Sequence, residues 1–362
     1  MSWFGPPPGA SEPTAPRRPA SYLPPGGLGS PGDVSAAGPF SGSATAYRHR
    51  YAVGVAHKPG LIALKPLSPG DILDGSTKLV RRGTGTVLGL SALTNAIAVL
   101  PAVALVVGVA GGTWLQRSGI SRVINTASMV GLLLTGGTVL ATIVLTGLLA
   151  PVAGEAILGR RISLAEAWSA ARSVLPRVLA TSLAVAGVAV GPWVALVLGL
   201  VLVANAPVPV VLVVGFLLGV AALVATAWLL PRMVFAGPAV ALEGVGVRAG
   251  LARASELSRR RYWPILGVSL LAVAVSALVF LFFELVGVVI GGIAIDLLDL
   301  TRVQTASAMS FVTPLSTLVS ATLVSPFLAG TVILQYVDAR MRKEGLDLVL
   351  LRRTSTRAGA GS

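Results

Sequence analysis

LEGVGVRAGLARASELSRRRYW (residues 242–263) runs without a break into PILGVSLLAVAVSALVFLFFELVGVVI (residues 264–290). The first half carries five arginines; the second holds a single charge, Glu284. As a helix rising 1.5 Å per residue, an apolar run of that length crosses a hydrocarbon core of ~30 Å. The arginines ahead of it belong among lipid headgroups, on the side of the membrane that gathers positive charge. A basic surface helix feeding a membrane span is the unit from which the rest of the chain is built.

Hydrophobic residues make up 54% of the 362 residues and charged residues 12%, with a mean hydropathy of +0.84. Soluble globular chains carry about 25% charged residues. Six apolar runs follow Gly83, at about 84–110, 126–150, 178–204, 210–230, 264–290 and 311–336. The expected class is an all-α polytopic membrane domain over residues 61–353, since a β-barrel would show alternating segments of ~10 residues. The 42 glycines and 24 prolines suit close helix packing in a bilayer. Glycine pairs at four-residue spacing, 108/112, 187/191, 215/219 and 287/291, mark weak candidates for such crossings.

The chain has no cysteine, which excludes disulfides, thiolate catalysis and cysteine-ligated zinc. Its two histidines, His49 and His57, both precede the first span, so neither a metal site nor a proton relay inside the membrane can be built on histidine. No cofactor is expected. The formal net charge of +14 falls in loops between spans, where anionic headgroups rather than nucleic acid are the natural partners.

Residues 1–60 are rich in Pro, Gly, Ser and Ala and bury too little apolar surface to offset their ordering entropy. They are expected to form a disordered cytoplasmic tail, as are residues 354–362. Pro6–Pro8, Pro24 and Pro25 allow polyproline II binding to a partner, a solvated tail being the plainer reading.

Two further basic stretches resemble the first in design. In LKPLSPGDILDGSTKLVRR (residues 64–82), Ser68 and Asp71 have capping-box spacing, and Ile72/Leu79 and Leu73/Val80 give an apolar face. In RRISLAEAWSAARSVLPR (residues 160–177), Ser163 and Glu166 repeat that spacing, with Leu164, Trp168, Ala171 and Leu175 on one face. The third helix would present Val247, Leu251 and Ala254. Three interfacial amphipathic helices are therefore expected, starting near Ser68, Ser163 and Gly246. Each is followed by a span out and a span back, a possible threefold helix-plus-hairpin repeat. Basic residues favour one set of loops at every turn. From residue 64 onward they number four, four, six and six on that side, against two, none and one on the other. This predicts six spans with both termini cytoplasmic.

Glu284 is the one acid clearly inside an expected span, and an intramembrane carboxylate is a functional candidate. It lies about 10 Å from the midpoint if the span ends at Ile290, and deeper if the helix continues towards Ile295. Asn95, near the middle of the first span, suits a hydrogen bond between helices. Ser316 and Ser320 join them as a candidate intramembrane polar site, although such hydroxyls more commonly bond the carbonyl one turn back and relieve proline kinks. Arg81, Arg82, Arg160, Arg161, Arg259, Arg260 and Arg261 are the candidate headgroup contacts. No G-x-S-x-G, H-E-x-x-H, P-loop or dinucleotide fingerprint occurs.

At residues 64–82, at 242–263 and at QYVDARMRKEGLDL (residues 335–348), the chain resembles a family of multi-pass actinobacterial membrane proteins. These resemble the membrane domain attached to some glycerophosphoryl diester phosphodiesterases. The resemblance implies an all-helical membrane domain of unassigned function in an actinobacterial plasma membrane, and transfers no catalytic residue, because the soluble histidine-bearing barrel of those enzymes has no counterpart here. Two functions are therefore expected. One is a non-enzymatic accessory or assembly subunit contacting anionic lipid, a protein partner or a second copy. The alternative is a transporter of a lipid or small molecule along a polar path near Glu284, Asn95 and the sixth span.

Overall fold

A computed structural model describes residues 61–62, 66–111, 120–160, 163–203, 205–298 and 302–344. The expected tails, 1–60 and 354–362, lie outside the described residues, as does Arg161. Nine helices occupy the described chain, and none of it forms a strand. They are α1 (Pro69–Arg82), α2 (Thr84–Gly111), α3 (Ile120–Ile157), α4 (Leu164–Leu202), α5 (Val208–Met233), α6 (Ala236–Glu243), α7 (Val247–Ser258), α8 (Tyr262–Leu297) and α9 (Arg302–Glu344). Six are long and apolar enough to cross a membrane: the chain is an all-α multi-pass membrane protein.

Capping chemistry starts two of the elements as the sequence indicates. The Ser68 hydroxyl accepts from the Asp71 N–H at 3.2 Å, and the Asp71 carboxylate accepts from the Ser68 N–H at 3.0 Å. Ser163 and Glu166 exchange the same pair of bonds. These occupy donors that a helix N-terminus leaves free. The third expected helix, α7, begins at Gly246 with no side-chain cap.

Several boundaries differ from the sequence expectation. The second surface helix is not separate: α4 continues through Pro176 to Leu202 as 39 residues, about 58 Å of helix, longer than a ~30 Å core requires. Along its surface stretch Ala167 and Ala171 are buried, whereas Trp168 is exposed, so the inward face keeps Ala171 of the expected set and replaces Trp168 by Ala167. Pro151 and Pro231 do not stop their helices, which run on to Ile157 and Met233. A proline removes one donor and orphans only the carbonyl four residues back. For Pro231 that carbonyl belongs to Ala227, and the Tyr262 hydroxyl from α8 donates to it. The short helix α6 is unforeseen. Residues 236–242 are all buried, and Gly244 ends the helix with φ +70°, a left-handed conformation that favours glycine. The Arg177 guanidinium donates to the Gly244 carbonyl at 3.2 Å.

The last helix is the hub. α9 packs against α1, α2, α3, α7 and α8, and 61% of its most apolar window is buried, against 6% for α4 and for α5. The apolar face of α1 docks on α9 rather than resting on lipid: Ile72, Gly75, Ser76 and Leu79 are buried, and Gly330 meets Leu79 and Ser76 closely. Among the glycine pairs, 287/291 alone marks a tight crossing at both members, against Ser316 and Val312 of α9. Gly187, Gly191, Gly108 and Gly219 face open space, and Gly112 lies outside the described residues. Beyond Val185, no apolar residue of α4 is buried; α5 buries Ala222 and Pro231. The far half of the α4–α5 hairpin therefore packs chiefly on itself, through contacts such as Leu218 against Gly199.

Candidate functional site

Three polar nodes lie along α9, from its N-terminal half to its charged end. The first is Glu284 on α8. α8 runs on to Leu297, which places Glu284 about 7 Å from the helix midpoint, the deeper of the two expected positions. Its Oε2 accepts from the Ser316 hydroxyl at 2.7 Å. Its Oε1 is shielded from solvent and has no hydrogen-bond partner among the described residues. Ser320 belongs to this face, but its hydroxyl donates to the Ser316 carbonyl at 2.7 Å, the local back-bond expected of such residues.

The second node joins α2 to α9. Asn95 is fully buried. Its Nδ2 donates to the Ser91 carbonyl and to Ser325 Oγ, each at 2.9 Å. Ser91 Oγ donates to the Thr322 carbonyl at 2.9 Å and lies 3.0 Å from Ser325 Oγ. Thr322 is four residues before Pro326, so this carbonyl is the one the proline orphans. Asn95 Oδ1 finds no partner among the described residues. Ser276 Oγ on α8 is likewise buried and unpartnered. The pairs Glu284/Ser316 and Ser269/Gln335 set an antiparallel register that puts Ser276 level with residues 324–328.

These two nodes do not merge. Ser316 and Ser325 are nine residues apart, which on a 3.6-residue helix is about 14 Å of rise and opposite faces of α9. The four residues expected to form one polar site thus form two separate junctions, Glu284–Ser316–Ser320 and Asn95–Ser91–Ser325. Each ties α9 to a different neighbour.

The third node is the charged end, and the sequence reading did not single out its acids. Asp338 is 5% exposed. Its carboxylate accepts from the Leu67 N–H at 2.8 Å, from Arg261 at 2.7 Å and from Arg342 at 2.8 Å. Arg342 also donates to the Leu67 carbonyl at 2.8 Å. One backbone residue ahead of α1 is therefore clamped on both its donor and its acceptor. Beside it, Glu243 at the end of α6 accepts from Arg253 at 3.3 Å and from the buried Tyr336 hydroxyl. Arg253 also pairs with Glu344, which binds Arg340 at 2.8 Å, and Lys343 binds Glu256 at 2.6 Å. Burial pulls the Arg253 guanidinium down, but the carboxylates of Glu243 and Glu344 outweigh it and raise its pKa. A third acid, the buried Glu155 at the end of α3, pairs with Arg160 at 3.0 Å. Three acids towards the ends of α3, α6 and α9 are thus shielded and held by arginine: Glu155, Glu243 and Asp338. The i,i+4 spacings of Asp338/Arg342 and Arg340/Glu344 are visible in the sequence. The partners that bury the acids, Leu67 and Arg261 for Asp338 and Tyr336 for Glu243, lie 271, 77 and 93 residues away and are not.

The expected headgroup arginines divide accordingly. Arg81, Arg82, Arg259 and Arg260 are exposed, free of the ion pairs that engage Arg160 and Arg261. Among the described residues, no group of three or more His, Cys, Asp or Glu side chains is placed to hold a metal ion.

A family model described as a domain of unknown function (DUF7847) matches residues 87–339, and the chain belongs to that family. No curated protein and no solved structure matches.

Proposed function

We propose that this DUF7847 protein is a non-catalytic accessory or assembly subunit of the plasma membrane, with its charged end and both termini in the cytoplasm. The observation that carries the reading is the α4–α5 hairpin. Its far half offers a long apolar surface within the bilayer while α9 and its neighbours form the packed core. The exposed arginines Arg81, Arg82, Arg259 and Arg260 at the charged end suit anionic headgroups. The resemblance to the membrane domain of glycerophosphoryl diester phosphodiesterases, and an actinobacterial origin, belong to the same proposal and bring no chemistry with them. Nucleic acid has no place in it.

The test is native mass spectrometry of the protein extracted in lipid discs without detergent exchange. A stoichiometric protein partner, or a defined homo-oligomer, is expected. A monomer carrying lipid alone would overturn the assembly role.

A second reading, transport of a lipid or small molecule, is favoured by the unpartnered Glu284 Oε1 and Asn95 Oδ1. Their separation on opposite faces of α9 counts against one continuous path. Glu284→Gln and Asn95→Leu discriminate: a folded protein that loses a transport activity with either change supports transport, whereas an accessory subunit tolerates both.

A further inference from the structure

Between α1, the first turn of α8 and α9 lies a notch of about 40 Å³ lined by Ile72, Pro264, Val268, Arg261, Gln335 and Asp338 among others. Three observations make it a site rather than a packing gap. Gln335 is 4% exposed, and only one end of its amide is used: Nε2 donates to Ser269 Oγ at 3.3 Å, while Oε1 is buried without a donor. An unsatisfied buried acceptor costs roughly 1–3 kcal/mol unless something fills it. Arg261 spends one nitrogen on Asp338, and its side chain, 32% exposed, keeps other N–H donors. With Arg342 on the same carboxylate, the node carries a net positive charge. The notch also abuts the N-terminal turn of α8, whose dipole favours an anion. The remaining walls are apolar.

We propose that this notch seats a phospholipid headgroup bearing an N–H or O–H donor beside its phosphate, as in phosphatidylethanolamine. The phosphate meets Arg261 and the α8 N-terminus, the donor satisfies Gln335 Oε1, and the glycerol lies against Pro264 and Val268. The volume, room for roughly three water-sized groups, admits the headgroup's donor end with the phosphate at its mouth and excludes an acyl chain. The inference rests on the charged end facing the headgroups. It is independent of whether a protein partner exists.

The experiment uses the full chain in lipid discs made from equal amounts of phosphatidylethanolamine and phosphatidylcholine with identical acyl chains, read by native mass spectrometry of the retained lipid. Choline has no N–H, so the two lipids differ at the atom Gln335 requires. The wild type is expected to enrich phosphatidylethanolamine about three- to tenfold over the bulk ratio, the worth of one hydrogen bond. Gln335→Leu should return the ratio to bulk, and so should Val268→Phe, which fills the notch without touching a polar group. Arg248→Gln, at an exposed position of α7 away from the notch lining, should leave the ratio enriched. A wild type at the bulk ratio, or folded Gln335→Leu and Val268→Phe proteins that keep the preference, would overturn the proposal. Displacement of the lipid by soluble phosphoethanolamine would overturn the lipid source and assign the notch to a free phosphate ester. Failure to find a protein partner would leave these ratios unchanged, so the two readings fail separately.

Discussion

Ser91 on α2 donates its hydroxyl proton to the Thr322 carbonyl of α9 at 2.9 Å, supplying the hydrogen bond that Pro326 takes from its own helix. Tyr262 serves the Ala227 carbonyl, orphaned by Pro231, in the same way. Each proline turns an internal backbone bond into a bond between helices. Ser91→Ala should therefore destabilise the protein by about 1 kcal/mol, within the range measured for interhelical bonds in membranes. The loss should shrink in a Pro326→Ala background, where Thr322 recovers its helical donor. Thermal unfolding of the four proteins of that cycle measures the coupling, and equal losses in both backgrounds would refute the assignment.

Asp338 holds Arg261, Arg342 and the Leu67 amide at once. Asp338→Asn leaves two guanidinium groups uncompensated. Breaking a buried pair costs roughly 3–5 kcal/mol; because both arginines are about a third exposed, solvent reduces the expected loss to about 2 kcal/mol. The change should also release the segment ahead of α1, read as faster hydrogen exchange at residues 67–72. Unchanged exchange there would show that the clamp does not anchor α1.

The Glu256–Lys343 pair joins α7 to α9 on the surface. A hydrogen bond from Lys343 and its positive charge lower the Glu256 pKa below the usual 4.5. A depressed carboxylate stabilises the fold above its unfolded value and loses that contribution as pH falls through the lower folded one. The difference in unfolding temperature between wild type and Glu256→Gln should thus be small and constant at neutral pH, then close below about pH 4.5. A difference that grows on acidification would contradict this.

Adjacent glycines in α3 make a paired test. A Cβ on Gly137 would sit 2.5 Å from the Ala98 carbonyl oxygen of α2, whereas one on Gly136 would meet open space. Backbone cannot yield as a side-chain tip can. Gly137→Ala should cost about 1–3 kcal/mol, typical of overpacking, and Gly136→Ala should be neutral or slightly stabilising. Equal effects would mean that α2 and α3 do not cross at Gly137.

The legible features of the chain were those written within one or two turns. Six apolar runs, the Ser68 and Ser163 caps and the basic stretches each depend on neighbours a few residues apart, and all appear in the fold. The helices run past Pro151 and Pro231, beyond the span ends expected at 150 and 230, because a distant hydroxyl, such as that of Tyr262, can make a proline tolerable. α6 was missed because a short, wholly buried helix has no polar face and hence no periodicity. The grouping of Glu284 with Asn95 failed for a geometric reason: both sit in mid-span, but only the register of α9 reveals that they touch opposite sides of it. Likewise, Gly287 and Gly137 are sites of close approach, yet only one belongs to a four-residue pair.

Among the described helices, the hub is also the last to be made. Until α9 leaves the ribosome, Ser76, Ser91, Asn95, Arg261 and Glu284 are without the partners that α9 brings them. Synthesis runs from the N-terminus, so α2 and α8 stand in the bilayer before Ser325 and Ser316 of α9 reach Asn95 and Glu284. A chain cut short before residue 302 would carry the five earlier spans yet leave Ser76, Ser91, Asn95, Arg261 and Glu284 without the contacts that close the bundle.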